Sequence, residues 1–376
     1  MGRRDFFKKL PSEITTDILS RLPLRSIPFS KCVCKSWLNL LNSDDFKIKP
    51  QPALLCLKSV GTNPTQCTIF EIEDEEEADL ESHDLHYIPL TALNTPQGSS
   101  GMLGIAANGL FFLYSYRDDP EIPVYICNTI TREYIVLDHP KENDYFEFCV
   151  SEISGQYKVI CICKTLDTFS FQVYTLGTGI WRPIDTGGAS GLSFNSAGHA
   201  LCNGNLHWEV EDLVTPYFRI CGFDIETECF TIFSPPPSLP ADGPIELHVQ
   251  LAVLRNCLCL SYTHDYDYDV VVIWMMKEYQ VEESWTIEYK LSTVALGFDE
   301  WIHLSFRPIK VFKDGDILML LMEDGQLIYY SNKTTTAQRI VLFNDAAVVR
   351  YNTDAMVFTP SLFSLNNFEF ENVISF

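Results

Sequence analysis

Three kinds of residue pattern in the sequence could do chemistry by their spacing, and the first is a run of alternating aspartates. In "HDYDYD", Asp265, Asp267 and Asp269 occupy the first three ligand positions of a calcium-binding loop. The pattern then fails, because Val270 stands where such a loop needs Gly and Met276 stands where it needs Glu. We therefore interpret the run as an exposed turn that begins a strand.

The second pattern is a set of closely spaced cysteines. The thirteen cysteines include three pairs with one residue between the members, and these are Cys32 and Cys34, Cys161 and Cys163, and Cys257 and Cys259. Zinc sites usually use wider knuckles such as C-x2-C, so the two pairs in apolar strands are interpreted as buried free thiols. The odd total and the lack of a signal peptide in residues 1–20 predict reduced thiols and an intracellular location, cytoplasmic or nuclear.

The third pattern is the stretch "EIEDEEEADLE" (71–81), which holds eight carboxylates in eleven positions. Packed carboxylates repel one another, so we interpret it as a solvated loop, with a binding site for a basic protein as the alternative. The sequence contains no HExxH motif, nucleophile elbow, P-loop or Rossmann glycine pattern. It therefore predicts no catalytic residue, no metal and no other cofactor.

Charge divides the chain into a basic head and an acidic body. Residues 1–50 hold ten Lys and Arg against five Asp and Glu, which gives +5, and the remaining 326 residues hold 17 against 45, which gives −28. An acidic body is a poor match for nucleic acid or an anionic membrane. Even the apolar run "VVVIWMM" (270–276) is far below the roughly 20 residues that a membrane helix needs. We expect an acidic partner for the head, a basic one for the body, and neither nucleic acid nor membrane.

The elements of the head are short helices. "LPSEITTDILSRLP" places its isoleucines and leucines at helical spacing and ends at Pro23, which predicts one amphipathic helix. A second helix is predicted to begin at Ser26 as N-cap with Pro28 in its first turn, and "LNLL" predicts a third. Three helices of this size bury too little surface to be stable alone, so a partner best explains their surplus of apolar residues.

The head resembles the F-box domain. The resemblance is carried by Leu10-Pro11, Glu13-Ile14, Ile18-Leu19, Leu22-Pro23, Ser26-Ile27, the run from Cys32 to Trp37, and Phe46. It implies docking on the Skp-family adaptor of a cullin-based (SCF) ubiquitin ligase, and through it on the cullin and RING subunits. The resemblance assigns to adaptor contact or to the core of the head Leu10, Pro11, Ile14, Ile18, Leu22, Pro23, Ile27, Val33 and Trp37. The sequence departs from the family pattern at Pro28 and Phe29.

After residue 50 the hydrophobic period becomes alternating, which predicts a boundary near 48–52, an N-terminal domain at 1–48 with its core at 10–46, and a β domain at 53–376. In that domain one unit recurs: a strand, a polar turn residue, a Thr three positions later and an aromatic residue. Its turn residues include Asn128, Thr175 and Asp224, which are 47 and 49 residues apart. Five such units, with 53–90 as a candidate sixth, predict a mainly β fold of repeated antiparallel blades, a β-propeller. An irregular β-sandwich is the alternative.

The body also resembles the F-box-associated, kelch-like domain of plant F-box proteins, in "YKVI", "NGNLHW" and "WMMKEYQVEESW", and the last segment is similar to the S-locus F-box group. The resemblance implies a non-catalytic substrate-recognition subunit that binds a protein target through loops on one propeller face, with a basic ribonuclease of self-incompatibility as the narrowest version. The alternative is a kelch-like propeller enzyme or a glycan-binding protein. Carboxylates or His meeting in the central channel would favour that alternative.

Overall fold

The computed structural model shows a mainly β protein, in which three short helices precede six antiparallel sheets arranged as the blades of a propeller. The residues that the structure describes are 10–22, 26–41, 43, 46, 52–59, 65–72, 85–94, 102–115, 123–140, 144–164, 168–212, 218–237, 239, 249–263, 270–292, 296, 304–323, 325–340, 352–369 and 371–375. The prediction of repeated antiparallel blades is confirmed, and the β-sandwich alternative is wrong. Asp265, Asp267, Asp269, Pro23 and most of the acidic stretch lie outside the described residues.

Three helices form the N-terminal head: α1 (Ser12–Ser20), α2 (Ile27–Lys31) and α3 (Lys35–Leu41). Helix α1 follows Pro11, whose ring presets a φ close to that of the first helical turn, and Pro28 lies in the first turn of α2 for the same reason. Ser26 is the N-cap residue of α2, as predicted, but its side chain makes no capping hydrogen bond. No helix in the described residues is long and apolar enough to cross a membrane.

Each blade has four main strands, ordered from the central channel outward. Blade 1 contains β24 (Asn352–Phe358), β1 (Ala53–Ser59), β2 (Gln66–Ile72) and β3 (Leu85–Asn94); blade 2 contains β4 (Met102–Ala107), β5 (Leu110–Ser115), β6 (Val124–Asn128) and β7 (Glu133–Leu137); blade 3 contains β8 (Asp144–Val150), β9 (Tyr157–Lys164), β10 (Phe169–Thr175) and β11 (Trp181–Ile184).

The second half of the ring repeats this order. Blade 4 contains β12 (Leu192–Cys202), β13 (Asn205–Asp212), β14 (Phe218–Asp224) and β15 (Phe230–Phe233); blade 5 contains β16 (Gln250–Leu254), β17 (Cys257–Thr263), β18 (Val270–Met276) and β19 (Trp285–Ser292); blade 6 contains β20 (Phe306–Val311), β21 (Ile317–Leu321), β22 (Gln326–Ser331) and β23 (Thr336–Ile340). The first strand of a blade neighbours the first strand of the next around most of the ring, which identifies these strands as the lining of the channel.

The two ends of the body close the ring. Strand β24 pairs antiparallel with β1, from Ala53 opposite Phe358 to Ser59 opposite Asn352. Blade 1 therefore takes its inner strand from the C-terminal part of the chain and its other three from the N-terminal part. The last strand, β25 (Val373–Ser375), pairs with β7 as a fifth strand of blade 2.

The recurring sequence unit is explained by the turn between the third and fourth strands of a blade. The Oδ1 of Asn128 accepts hydrogen bonds from the backbone N–H of Ile130 (2.8 Å) and Thr131 (3.2 Å). The Oδ1 of Asp224 accepts in the same way from residues two and three positions later. Such side-chain turns hold the hairpin in place of a backbone bond. The five predicted units are therefore the outer hairpins of blades 2 to 6, and the candidate sixth, 53–90, belongs to blade 1.

Tight turns also join the first and second strands. Asn108 and Gly109 have φ values of 39° and 85°, and Asn203 and Gly204 have 49° and 71°. Two successive positive φ values define the type I′ turn that suits the twist of a two-residue hairpin. The asparagine–glycine pairs upstream of "LFFL" and "LHW" are thus the local signal for these hairpins.

The core lies between the blades. Six apolar clusters each join two neighbouring blades, and a seventh lies in the helical head. Strands buried on both faces read as continuous apolar runs, which explains "VVVIWMM". Cys161 and Cys163 lie in the cluster between blades 2 and 3 with their Sγ atoms 3.5 Å apart, and Cys259 is buried as well. The prediction of buried free thiols is confirmed for these three, whereas Cys257 is only partly buried.

Candidate functional site

The head presents apolar side chains to solvent along α1. Ile14 and Ile18 are four residues apart and lie on one face of the helix, Leu10 precedes its first residue by two positions, and all three are exposed, Ile14 by 49%. On α2 and the turn after it, Phe29 and Val33 are exposed by 76% and 63%, again four residues apart. We call these five residues the exposed apolar set.

The opposite side of the helices forms a small core. Leu19, Ile27, Leu41 and Phe46 are buried together, and Leu22, Trp37 and Leu40 pack against them. The predicted site residues therefore divide into two groups. The exposed group consists of Leu10, Pro11, Ile14, Ile18 and Val33. The core group consists of Leu22, Ile27 and Trp37. Their assignment to adaptor contact stays a prediction.

Phe29 is the residue that sequence reasoning missed. In the sequence it marks only a departure from the F-box pattern, yet among the described residues of the head it is the most exposed large apolar side chain. The available signal was its position in a helix whose first turn contains Pro28, four residues before the apolar Val33 that follows the helix. An exposed Phe has no folding role, whereas burying one against a partner is worth about 1.5–3 kcal/mol.

A C-terminal segment connects the head to the propeller. Leu362 packs against the core of the head. On either side of it, the Nδ2 of Asn128 donates to the carbonyl oxygens of Ser361 (3.1 Å) and Phe363 (2.6 Å). Farther along, the Glu133 carboxylate accepts from the backbone N–H of Leu365 at 2.7 Å. Blade 2 thus holds the segment, and the segment supports the head.

The strand directions separate the two faces of the propeller. The head leads into the start of β1, which pairs with the end of β24, and the two-residue turns at Asn108 and Asn203 follow the ends of other inner strands. Inner strands run in the same direction around the ring, so the head and the tight turns share one face. Most connections on the opposite face are longer, up to the sixteen residues between β15 and β16, although the twelve-residue connection from β2 to β3 leaves β2 at the head's face.

Four ionisable side chains from four inner strands form a second group, in which Glu147 is buried and the other three are partly exposed. Trp208 donates its indole N–H to the Oε1 of Glu147 (2.9 Å), and the Nδ1 of His199 lies 3.2 Å from Oε2. Arg307 forms an ion pair with Asp354 and also donates to a backbone carbonyl on β24. We call Glu147, His199, Arg307 and Asp354 the channel cluster.

Burial controls the protonation of this cluster. It raises the pKa of Glu147 to about 8 against the weaker opposing effect of the Trp208 hydrogen bond. Burial lowers the pKa of His199 to about 4, with the Arg307 charge acting in the same direction and the Asp354 charge against it. At neutral pH the carboxyl is therefore mostly protonated and the imidazole neutral. The sequence showed no such group, because its members are far apart along the chain and lie on strands that the recurring unit does not include.

Comparisons with known proteins agree with the propeller fold and identify the family of both parts of the chain. The family model described as the F-box associated beta propeller domain matches residues 55–360, and the F-box domain model matches residues 7–49. The chain belongs to the F-box proteins that carry this propeller. It is similar to F-box protein CPR1 of Arabidopsis thaliana, with 22% identity over 85% of this chain and 81% of the relative. It is also similar to F-box protein At3g07870 of the same plant, with 25% identity over 88% and 85%.

A solved structure with a related outline is the virginiamycin B lyase from Staphylococcus aureus. The TM-score is 0.37 with 10% identity, and the match covers 80% of this chain and 88% of the lyase. A similarity of this size carries no argument about function. Among the residues that the structure describes, no three His, Cys, Asp or Glu side chains are grouped so that they could hold a metal ion.

Proposed function

We propose that this protein is the substrate-recognition subunit of an SCF ubiquitin ligase and that the exposed apolar set is its docking surface for the Skp-family adaptor. The observation that carries the proposal is the exposure of five large apolar side chains within the segment that matches the F-box model. Their burial against a partner is strongly favourable, whereas leaving them in water serves no packing purpose in the chain itself. Through the adaptor the protein joins the cullin and RING subunits.

The propeller holds the protein target in this proposal. Its contribution is proximity, because holding a target lysine beside the charged ubiquitin carrier raises the effective concentration of the reacting groups without bond chemistry in this chain. The face opposite the head fits the target best, since it carries most of the longer connections and leaves the head free for the adaptor. The charge of −28 on the body favours a basic target, and a basic ribonuclease of self-incompatibility is the narrowest form of the proposal.

Two further predictions belong to this proposal. The division into an adaptor-binding domain at 1–48 and a target-binding domain at 53–376 is supported by the separate apolar core of the head. A cytoplasmic or nuclear location follows from the ligase role and from the thirteen cysteines, all of which are free thiols in the structure.

The test is co-purification of the full chain with a Skp-family adaptor and a cullin. The test variant combines Leu10→Ala, Ile14→Ala and Ile18→Ala, and the matched control carries Ile153→Ala and Ile180→Ala, two exposed isoleucines of the propeller. We expect the wild type and the control to bring down both partners and the test variant to bring down neither, with all three equally folded by circular dichroism. Retention of both partners by the test variant would exclude the proposed docking surface.

A second candidate is the propeller enzyme or glycan-binding protein, and the channel cluster is the observation that favours it. A protonated carboxyl 3.2 Å from a neutral imidazole is a pair that can exchange a proton with a bound molecule. If the wild type folds but ignores the adaptor, this candidate replaces the first.

A further inference from the structure

The carboxyl group of Glu147 is buried, and only one of its two oxygens accepts a hydrogen bond. The residue is only 5% exposed. Its Oε1 is held by the indole N–H of Trp208, a residue that is itself buried, so the orientation of the carboxyl group is set by packing. Its Oε2 has no hydrogen-bond partner, because the approach of His199 at 3.2 Å lacks hydrogen-bond geometry. A buried carboxyl oxygen without a donor is costly and rare in native proteins.

The surrounding charges decide which ligand would complete the site. Arg307 forms an ion pair with Asp354 and donates to the carbonyl oxygen of Ala355, so the charges of these two side chains cancel. With Glu147 ionised, the channel cluster carries a net charge of about −1. A metal ion would find one free carboxylate oxygen and one imidazole nitrogen at this point, which is fewer ligands than protein metal sites provide.

We propose that the central channel binds the ammonium or guanidinium group of an organic cation through the Oε2 of Glu147. The cation supplies the missing donor and the missing positive charge, and Glu147 releases its proton to solvent as the cation binds. The side chains of His199 and Arg307 beside the carboxyl group are exposed by 28% and 21%, whereas the Oε2 itself is covered, so the cation reaches it by displacing a neighbouring side chain. The cation is either a free small molecule or a basic side chain of a protein that enters the channel. This inference does not depend on adaptor docking.

The site has a defined pH dependence. Binding requires ionised Glu147, whose pKa burial raises to about 8, so affinity rises about tenfold per pH unit below 8 and levels off above it. The groups that face Glu147 from other strands are His199, Arg307, Asp354 and Tyr114. His199 stays neutral in this range because its pKa is about 4, and burial keeps Tyr114 neutral by raising its pKa. Glu147 is therefore the group that titrates.

Isothermal titration calorimetry of the full chain tests the site with n-butylguanidinium and n-butylammonium chloride at pH 6, 7 and 8, in two buffers that differ in ionisation heat. We expect binding that is about fiftyfold tighter at pH 8 than at pH 6, with release of about one proton per site at pH 7. Glu147→Gln should abolish binding. The control Glu209→Gln alters another carboxyl that is 5% exposed and has a pKa raised by burial to about 8, and it should leave binding unchanged.

A second arm separates the two sources of the cation. A capped Gly-Arg-Gly peptide is titrated beside the small cations under the same conditions. Binding of the small cations supports a free metabolite, and binding of the peptide alone, with the same proton release, supports a basic side chain of a protein. The proposal is overturned if neither probe binds at pH 8, if Glu147→Gln still binds, or if wild-type binding is independent of pH. The last outcome keeps the test decisive even where Glu147→Gln fails to fold.

Discussion

The helical head leaves Ile14, Phe29 and Val33 exposed by about half or more, whereas the propeller strand β21 (Ile317–Leu321) buries all five of its residues. Both regions are rich in apolar residues, yet they differ in what those residues pack against. A blade finds its partner in the next blade, and the ring of six closes on itself. The head has a small apolar core built on four buried residues, and five of its large apolar side chains face water.

The difference shows how an interface can be read from an isolated chain. Burial inside the propeller is explained by folding alone, so an apolar residue there needs no functional account. Exposure of a clustered apolar set in a region too small to be stable alone is not explained by folding, and it points to a missing partner. Substitutions in the two regions should therefore have opposite effects on stability and on binding.

The largest expected effect is the loss of ring closure. Ala355 on β24 is fully buried between blades 1 and 6, so Ala355→Asp places an unpaired charge in the core and should destabilise the fold by more than about 3 kcal/mol. Val357 lies on the same strand but is 40% exposed, and Val357→Asp should cost less than about 1 kcal/mol. Urea denaturation measures both. Equal midpoints for the two variants would mean that β24 does not close the ring.

The next largest effect is expected at Phe29, an exposed residue of the head, and it concerns binding and not stability. Phe29→Asp should weaken adaptor binding at least tenfold, since a buried Phe anchor is worth about 1.5–3 kcal/mol, and should leave the unfolding midpoint unchanged. Ile153→Asp is the matched control, because Ile153 is exposed by 83% on the propeller. Biolayer interferometry with immobilised adaptor gives the affinities. Full affinity of the Phe29 variant would restrict the docking surface to α1 and Val33.

The stability of the fold should also depend on pH, through ionisable groups that are buried in the propeller. Burial raises the pKa of Glu147 and Glu209 to about 8, so the folded state holds protons that the unfolded state has lost, and stability falls as pH rises toward 8. His199 and His207 have pKa values lowered by burial to about 4, so their contribution rises with pH from 4 and is nearly complete by 6.5.

The window from pH 6.5 to 8 therefore isolates the carboxyl groups. Glu147 should account for about 1–2 kcal/mol of lost stability there, and Glu147→Gln should flatten the profile by that amount. Urea denaturation at pH 6.5 and 8 measures the change for both proteins. An unchanged slope in the variant would contradict the raised pKa.

The smallest expected difference lies between two turn residues, Asn128 and Asp224, which hold the same place in the recurring sequence unit but make different contacts in the structure. Asn128 is fully buried and holds both its own hairpin and the C-terminal segment, so Asn128→Ala should cost about 1–3 kcal/mol. Asp224 holds its hairpin through two backbone N–H groups, and Asp224→Ala should cost about 0.5–1.5 kcal/mol. Thermal unfolding compares them, and an equal loss would mean that Asn128 does not anchor the segment.

Much of the architecture could be predicted from the sequence because it depends on residues that are close along the chain. The spacing of Asn128, Thr175 and Asp224 reports outer hairpins whose turns are made by side chains a few residues away. The helices of the head were readable for the same reason, since proline and apolar spacing act within one turn. The inner strands were not found, because they share no motif and are reached through connections of very different length.

The sequence by itself determined the short helical head, the repeated hairpins and the charge contrast between head and body. Helices and turns depend on residues that are close along the chain, and the charge contrast depends only on the number of charged residues in each region. The tertiary structure alone decided three other features: the closure of blade 1 by β24, the exposure of Phe29, and the meeting of Glu147 with His199 in the channel. The first and the third bring together residues that are distant along the chain, and only the closed ring fixes those distances. The exposure of Phe29 depends on how the helices of the head pack on one another.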